Sequence, residues 1–184
     1  MDLLKQFSAV AEAAGAVLID CQNPAAAVAL IAERAATGGV LLPVSASCER
    51  AQLAEQLKKA GVSLLPVDRV QAADAVVGVT SACFAIADTG SLVLESTAED
   101  VRLASTLPTH HFVLLDRSKV VADGLAAIEP LRRMHQQSPR NYIAYITGPS
   151  RTADIERVLT IGVHGPKQLT ILLLDDWSSD FLEM

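Results

Sequence analysis

The stretch that decides the fold lies at residues 141–166, with the sequence NYIAYITGPSRTADIERVLTIGVHGP. Its opening segment, residues 141–146, is rich in aromatic and β-branched side chains, which predicts a buried strand. A Gly-Pro pair at 148–149 then ends the strand. Ser150 or Thr152 can cap a following helix through its hydroxyl oxygen. The stretch therefore predicts a strand, a tight turn and a helix N-terminus.

Four side chains in this stretch can bind a ligand or move a proton, namely Ser150, Arg151, Thr152 and His164. In open α/β sheets, ligands bind at the ends of parallel strands, beside free backbone N–H groups. Arg151 could hold a carboxylate bidentately, and a salt bridge to Asp154 is the alternative. Ser150 and Thr152 could donate to an anion, although capping alone explains one of them. His164 could exchange protons near neutral pH or cap a carbonyl.

The chain before this stretch alternates between helical and extended patterns joined by short links. Such alternation predicts parallel crossover units, each with a right-handed connection. The fold class is therefore α/β, with a parallel-rich sheet flanked by helices. We expect one domain over residues 1–184, with an N-terminal helix at 1–14 and an acidic tail at 175–184. Further helices are expected at 24–36, 100–106 and 124–136, and strands at 16–19, 40–42, 62–65, 76–80, 112–115 and 169–174.

A hairpin is predicted after the third crossover unit. Residues 84–87 and 91–94 are both strand-like, and they flank the sequence Asp88-Thr89-Gly90. This sequence is typical of a tight turn, because glycine readily adopts the positive φ that the turn needs. We expect an antiparallel insertion close to the edge of the sheet. Thr89 and the Gly90 amide are also plausible ligand contacts.

Composition restricts the class of protein. Of 184 residues, 51% are hydrophobic and 4% aromatic, and 21 acidic residues exceed 15 basic ones, for a net charge of −6. A nucleic-acid platform needs a basic face, which is absent. No run of eighteen apolar residues occurs, so we predict no membrane span and a cytoplasmic location. The three dispersed cysteines predict no disulfide or zinc site, and they are too few for an iron–sulfur cluster.

Several segments carry a resemblance to a known family. Residues 148–156 and 162–166 resemble the signature of the lactate-utilization (LUD domain) family, and residues 87–94 resemble its upstream motif. Residues 107–111 resemble the piece between them, so the likeness covers about 75–175. At this length, and without a ferredoxin-like cysteine pattern, the chain is most similar to the short members of the family. The family itself is similar to the NagB/RpiA/CoA transferase-like fold of sugar-phosphate isomerases and coenzyme A transferases.

The resemblance implies a component of an L-lactate utilization system that oxidises L-lactate to pyruvate. No redox group is encoded, so the electrons must leave through a partner or a bound cofactor. The resemblance implies that iron–sulfur partner proteins take them. We expect a pocket for a small carboxylate substrate, with His164 as the proton acceptor and Arg151 orienting the carboxylate. The other expected binding residues are Ser150 and Thr152, with Thr89 and Gly90 on the opposite wall. Two alternatives are a non-catalytic assembly subunit and a stand-alone acyl or sugar-phosphate enzyme.

Other reactive side chains favour structural interpretations. Glu95 lacks the glycine-bearing surroundings expected of a coenzyme A transferase nucleophile. His110 and His111 are adjacent in a predicted strand, so they point to opposite faces and cannot readily share one metal ion. Cys83 is expected to be a small buried apolar group. A Ser150/His164/Asp154 triad can be written, but no GxSxG elbow supports a hydrolase.

Overall fold

In the computed structural model, the structure describes residues 2–138, 140–152, 160–162 and 164–184. Short 3₁₀ turns lie at Ala35–Thr37 and Gln71–Asp74. The α-helices within these ranges are α1 (Leu3–Ala13), α2 (Pro24–Arg34), α3 (Ala46–Arg50), α4 (Leu53–Lys59), α5 (Glu99–Thr106) and α6 (Ile128–Gln137).

The strands form two main sheets and one small hairpin. They are β1 (Val17–Asp20), β2 (Gly39–Leu41), β3 (Ala75–Ser81), β4 (Phe84–Ile86), β5 (Ser91–Glu95), β6 (His110–Asp116), β7 (Val120–Val121), β8 (Ile143–Ile146), β9 (Arg151–Thr152), β10 (Thr160–Ile161) and β11 (Gln168–Leu174). Five strands pair in parallel in the order β1-β11-β6-β3-β2. Four more pair in the order β7-β4-β5-β8, and β9 pairs with β10. The predicted α/β class with a parallel-rich sheet is confirmed.

Local signals in the sequence set the helix ends. The Asn23 side chain accepts a hydrogen bond from the Ala26 amide at 3.0 Å, with Pro24 as the first helical residue of α2. The Asp2 side chain caps α1 in the same way. Gly15 follows α1 with a φ of +92°, a conformation that disfavours any other residue and ends the helix.

The core is built in layers on the two faces of the parallel sheet. Strands β6 and β11 are buried on both faces, which explains their apolar runs at 112–115 and 171–174. One face packs against α2 and α4, through side chains such as Ile31, Leu57 and Phe112. The other face packs against α1 and the four-stranded sheet, through side chains such as Phe7 and Leu92. The four-stranded sheet therefore lies next to the parallel sheet and shares its core.

The predicted hairpin is confirmed, but its surroundings differ from the expectation. β4 and β5 pair antiparallel, and Gly90 in the turn has a φ of +64°. They are the two inner strands of the four-stranded sheet, so they do not lie at the edge of the parallel sheet. The predicted strand at 62–65 is reduced to a single parallel bridge between Val40 and Leu64. The predicted helix near 124–136 begins later, at Ile128.

The stretch at 141–152 contains two errors of prediction. β8 pairs antiparallel with β5, so it is an edge strand of the second sheet, and Tyr142 and Tyr145 are exposed. The predicted strand therefore forms, but the expectation that it is buried is wrong. Arg151–Thr152 forms the strand β9, paired with β10, where a helix N-terminus was predicted. The rest of the predicted helix, residues 153–159, lies outside the described residues.

The acidic segment at residues 175–184, here called the closing segment, packs onto the rest of the fold. Trp177 is 5% exposed and its indole N–H donates to Ser81 Oγ at 3.2 Å. The buried ammonium of Lys119 donates to the main-chain carbonyls of Asp180 and Glu183, at 2.8 and 2.7 Å. These contacts hold the segment against the carboxyl ends of β3 and β6. Along the described part of the chain, no helix is long and apolar enough to cross a bilayer.

Candidate functional site

A cavity of about 290 Å³ lies where the two sheets meet. Its walls come from β8 and the following turn (Ala144–Ser150), from His164–Pro166, and from Ser105–Thr106 at the end of α5. His111 and Leu169, near the amino ends of β6 and β11, complete the lining. The cavity thus lies at the amino edge of the parallel sheet. β8 does not meet the expectation that the site follows a parallel strand, because it pairs antiparallel with β5 in the other sheet.

Ser150 joins two segments of the predicted site. Its amide donates to Pro166 O at 2.9 Å, and its carbonyl accepts from the Gly162 amide at 2.8 Å. Its hydroxyl donates to His164 O at 3.0 Å. Ser150 and the exposed His164 are therefore brought together at the cavity, as expected. Ser150 does not cap a helix, and its single hydroxyl hydrogen is already donated within the chain.

Arg151 lies elsewhere in the described conformation. Its guanidinium donates to the carbonyl of Ala14, which follows the last residue of α1. A cation there interacts favourably with the negative end of the helix dipole. It also donates to a carbonyl that has no partner within the helix. Arg151 is exposed and does not line the cavity. Thr152 lies in β9, next to Arg151 in sequence.

Gly90 of the predicted site and Gly148 of the Gly-Pro turn also pack against the C-terminal part of α1. A Cβ on Gly90 would lie 2.6 Å from the Ala11 amide nitrogen, and one on Gly148 would lie 2.2 Å from Ala14 O. Both have positive φ values, +64° and +71°. Glycine is needed at both positions because the main chain of α1 occupies the space of a side chain. Thr89 is exposed beside Gly90, and neither residue lines the cavity, so the expected opposite wall is not formed by them.

His111 is a cavity residue that the sequence interpretation missed. It is 1% exposed, and its Nε2 lies 2.9 Å from Thr80 Oγ1. Burial, with a smaller effect of His110, lowers the pKa of His111 to about 3, so the ring is neutral at physiological pH. The alternation of side chains along β6 was the available signal, because it requires one of two adjacent histidines to face the second sheet.

The two adjacent histidines do point to opposite faces, as predicted. His110 Nε2 lies 2.8 Å from Thr170 Oγ1, and its ring stacks on Phe112 with centroids 4.2 Å apart. Burial lowers the pKa of His110 to about 4. Cys83 is fully buried, as expected, and burial raises the pKa of its thiol to about 11. Among the described residues, no group of three or more histidine, cysteine or acidic side chains could hold a metal ion.

Comparison with known proteins identifies the family. A sequence model of the LUD domain matches residues 4–174. The chain belongs to the LUD domain family. The resemblance inferred from residues 87–94, 148–156 and 162–166 is therefore confirmed.

The chain is also similar to several curated proteins in sequence and to a solved structure in fold. Lactate utilization protein C of Anoxybacillus flavithermus is 36% identical over 110 residues, which cover 59% of this chain and 49% of that protein. Uncharacterized protein YkgG of Escherichia coli is 37% identical over 108 residues, 58% of this chain and 47% of that protein. The chain thus spans about half the length of the curated relatives it matches. A crystal structure of a DUF162 family protein from Deinococcus radiodurans, 19% identical, superposes with a TM-score of 0.68 over 94% of this chain and 96% of that one, which shows a shared fold.

Proposed function

We propose that this LUD-domain chain is a component of an L-lactate utilization system, in the cytoplasm, that oxidises L-lactate to pyruvate. The observation that carries the proposal is the meeting of Ser150 and His164 at one small cavity, since both lie in segments that resemble the family signature. The names of relatives such as lactate utilization protein C support it. A cavity of about 290 Å³, lined by apolar residues together with hydroxyl and imidazole side chains, suits a small carboxylate.

The proposed reaction breaks the C2–H and O–H bonds of lactate and forms the C2=O bond of pyruvate. Two electrons and two protons must leave. In this proposal, His164 at the cavity mouth accepts the hydroxyl proton. The C2 hydrogen leaves with both electrons to a hydride-accepting redox group of the assembled system, and iron–sulfur partner proteins carry the electrons away from that group. Arg151 remains a predicted carboxylate ligand. To bind the substrate, its guanidinium would have to break the hydrogen bond to Ala14 O and donate to the carboxylate.

The placement of Arg151 favours a second candidate function. Arg151, Gly90 and Gly148 contact α1, so these motif residues are explained by packing alone. A non-catalytic subunit that binds and assembles the iron–sulfur partners would need such a rigid scaffold. It would not need to turn over a substrate. The two candidates differ in what His164→Ala would do, since only the first assigns that side chain a chemical step.

A complementation experiment tests the proposal. A strain that lacks the native gene is supplied with the wild-type chain, with His164→Ala or with Arg151→Ala, and grown on L-lactate. His135→Ala is the matched control, because His135 is an exposed histidine on α6, away from the cavity. We expect His164→Ala to abolish growth on L-lactate and His135→Ala to leave it unchanged. Normal growth of both the His164 and Arg151 variants would contradict the proposed roles.

A pull-down separates catalysis from assembly. Tagged chain is recovered anaerobically from cells grown on L-lactate, and the eluate is assayed for iron and for lactate-dependent dye reduction. The proposal predicts an iron-containing eluate that reduces dye, and His164→Ala should keep the iron while losing the dye reduction. An Arg151→Ala eluate without partners would favour the assembly function. A wild-type chain recovered without iron or activity would contradict both candidates.

A further inference from the structure

The buried end of the cavity contains one titratable side chain among the described lining residues, His111. The ring nitrogen Nε2 is engaged with Thr80 Oγ1 at 2.9 Å. Nδ1 is the ring nitrogen that remains for a ligand. Because both Thr80 and His111 are more than nine-tenths buried, on the adjacent strands β3 and β6, the orientation of the ring is fixed by packing as well as by the hydrogen bond.

Three hydroxyl groups of the cavity lining have already used their hydrogens, whereas the exposed Thr147 pairs with Ser91, and either hydroxyl of that pair can be the donor. Ser105 Oγ and Thr106 Oγ1 donate to Arg102 O at 3.2 and 2.6 Å, and Ser150 Oγ donates to His164 O at 3.0 Å. A hydroxyl has one hydrogen to donate, so these three groups offer only lone pairs to a ligand. His111 is therefore the buried lining side chain best placed to donate a hydrogen bond to a ligand oxygen.

Charge then decides which ligand group can reach His111. The buried, neutral imidazole offers a hydrogen bond but no positive charge to balance a carboxylate. An uncharged oxygen suits the buried end of the cavity. A carboxylate suits the mouth, where Tyr145 is 54% exposed and His164 is exposed.

We propose that His111 is a ligand-binding residue of this cavity, where its Nδ1 hydrogen-bonds the uncharged hydroxyl or oxo oxygen of a small ligand, while the carboxylate stays at the mouth. Thr80 is the positioning residue, because its contact with Nε2 orients the ring and, when Thr80 donates, leaves the ring hydrogen on Nδ1. An oxo oxygen can only accept, so a site that binds both a 2-hydroxy and a 2-oxo acid needs a hydrogen on Nδ1. Thr80 must then donate to Nε2. The identity of the ligand as a 2-hydroxy or 2-oxo acid rests on the proposed function.

The test measures binding by calorimetry with four probes. L-lactate and pyruvate carry an oxygen on C2, propionate lacks it, and hydroxyacetone keeps a 2-oxo group without the carboxylate. We expect the wild-type chain to bind L-lactate and pyruvate about tenfold more tightly than propionate, the effect of one hydrogen bond. His111→Leu should abolish this difference. His110→Gln is the matched control, because it alters a buried histidine on the same strand whose ring lies on the other face, and it should keep the difference.

A spectroscopic readout covers the case in which His111→Leu fails to fold. Nitrogen NMR of the wild-type chain, with its four histidines assigned by substitution, reports which ring nitrogen of His111 carries the hydrogen. We expect a protonated Nδ1 whose resonance moves when pyruvate binds. Thr80→Val should lose the tautomer preference, and Thr80→Ser should restore it. A hydrogen on Nε2, or a His111 resonance that pyruvate leaves unmoved, would overturn the proposal.

The outcomes separate this inference from the proposed function. If the wild-type chain distinguishes lactate from propionate and His111→Leu does so equally well, the role of His111 is wrong and the proposed function stands. If hydroxyacetone binds through His111 and none of the acids binds, the role of His111 stands and the carboxylate substrate is wrong. If no probe binds, both are wrong.

Discussion

Acidification should destabilise this fold through two buried histidines. His110 and His111 are 7% and 1% exposed, and burial lowers their pKa values from 6.5 to about 4 and about 3. In the unfolded chain both rings bind a proton near pH 6.5. Between that pH and the folded pKa values, the unfolded state therefore binds more protons than the folded state. The free energy of unfolding is highest above pH 6.5 and falls as the pH falls.

The size of the effect follows from the same linkage. Each additional proton bound by the unfolded chain lowers the free energy of unfolding by about 1.4 kcal/mol per pH unit. From pH 7 to pH 5, each histidine contributes about 2 kcal/mol, and the pair contributes about 4 kcal/mol. This is a large fraction of the stability of an ordinary domain. Burial raises the pKa of the Asp116 carboxyl, but hydrogen bonds from Ser118 and Ser178 outweigh this effect and lower the pKa from 3.8. The stability that Asp116 contributes is therefore lost below pH 5, outside the range compared here.

Urea unfolding at pH 7 and pH 5 measures the prediction. Trp177 is the single tryptophan and is 5% exposed, so its fluorescence reports unfolding directly. The wild-type chain should lose about 4 kcal/mol between the two pH values, and His110→Gln or His111→Gln about 2 kcal/mol. The exposed control His135→Gln should lose as much as the wild type. A wild-type loss below about 1 kcal/mol, or equal losses in all variants, would refute the reasoning.

Two further predictions concern the closing segment and the α1 contact. Lys119→Met removes an ammonium that donates to two main-chain carbonyls of residues 175–184, so the segment should loosen by about 1 to 3 kcal/mol. Chymotrypsin should then cut at Phe181 faster, and an unchanged rate would contradict the role of the lysine. Gly90→Ala should lower the melting temperature more than Gly61→Ala, because both have positive φ but only Gly90 meets a main-chain atom, at 2.6 Å. Equal losses would mean that the contact with α1 does not matter.

The parts of the fold that follow short-range rules could be predicted from the sequence. The hairpin depends on Asp88-Thr89-Gly90, and the start of α2 depends on Asn23-Pro24, each within a few residues. The parallel strands β6 and β11 are recognisable because burial on both faces requires continuous apolar runs. The same local patterns do not say which strands pair.

The errors come from long-range pairing. β8 looks like a buried strand, yet it pairs with β5, in the register Leu92 to Ile146, at the edge of a second sheet. Arg151 and Thr152 follow a turn that suits a helix start, yet their strand partners lie at Thr160 and Ile161. Strand formation at such a short segment depends on the partner more than on local propensity. The contact between Arg151 and the end of α1 could not be predicted for the same reason. The residues around Arg151 in the sequence do not indicate that α1 ends beside it.

The charges of the two cavities explain why a carboxylate would bind at the amino edge of the parallel sheet. The carboxyl edge, where ligands of α/β sheets usually bind, holds a cavity of about 470 Å³ beside the closing segment. Its described lining includes Asp116, Asp175, Asp180 and further acidic groups against the single cation of Arg50. A small anion is repelled there. The described lining of the cavity at the amino edge contains no acidic side chain. A negatively charged substrate is therefore expected to bind at the amino edge and not at the carboxyl edge, where ligands of α/β sheets usually bind.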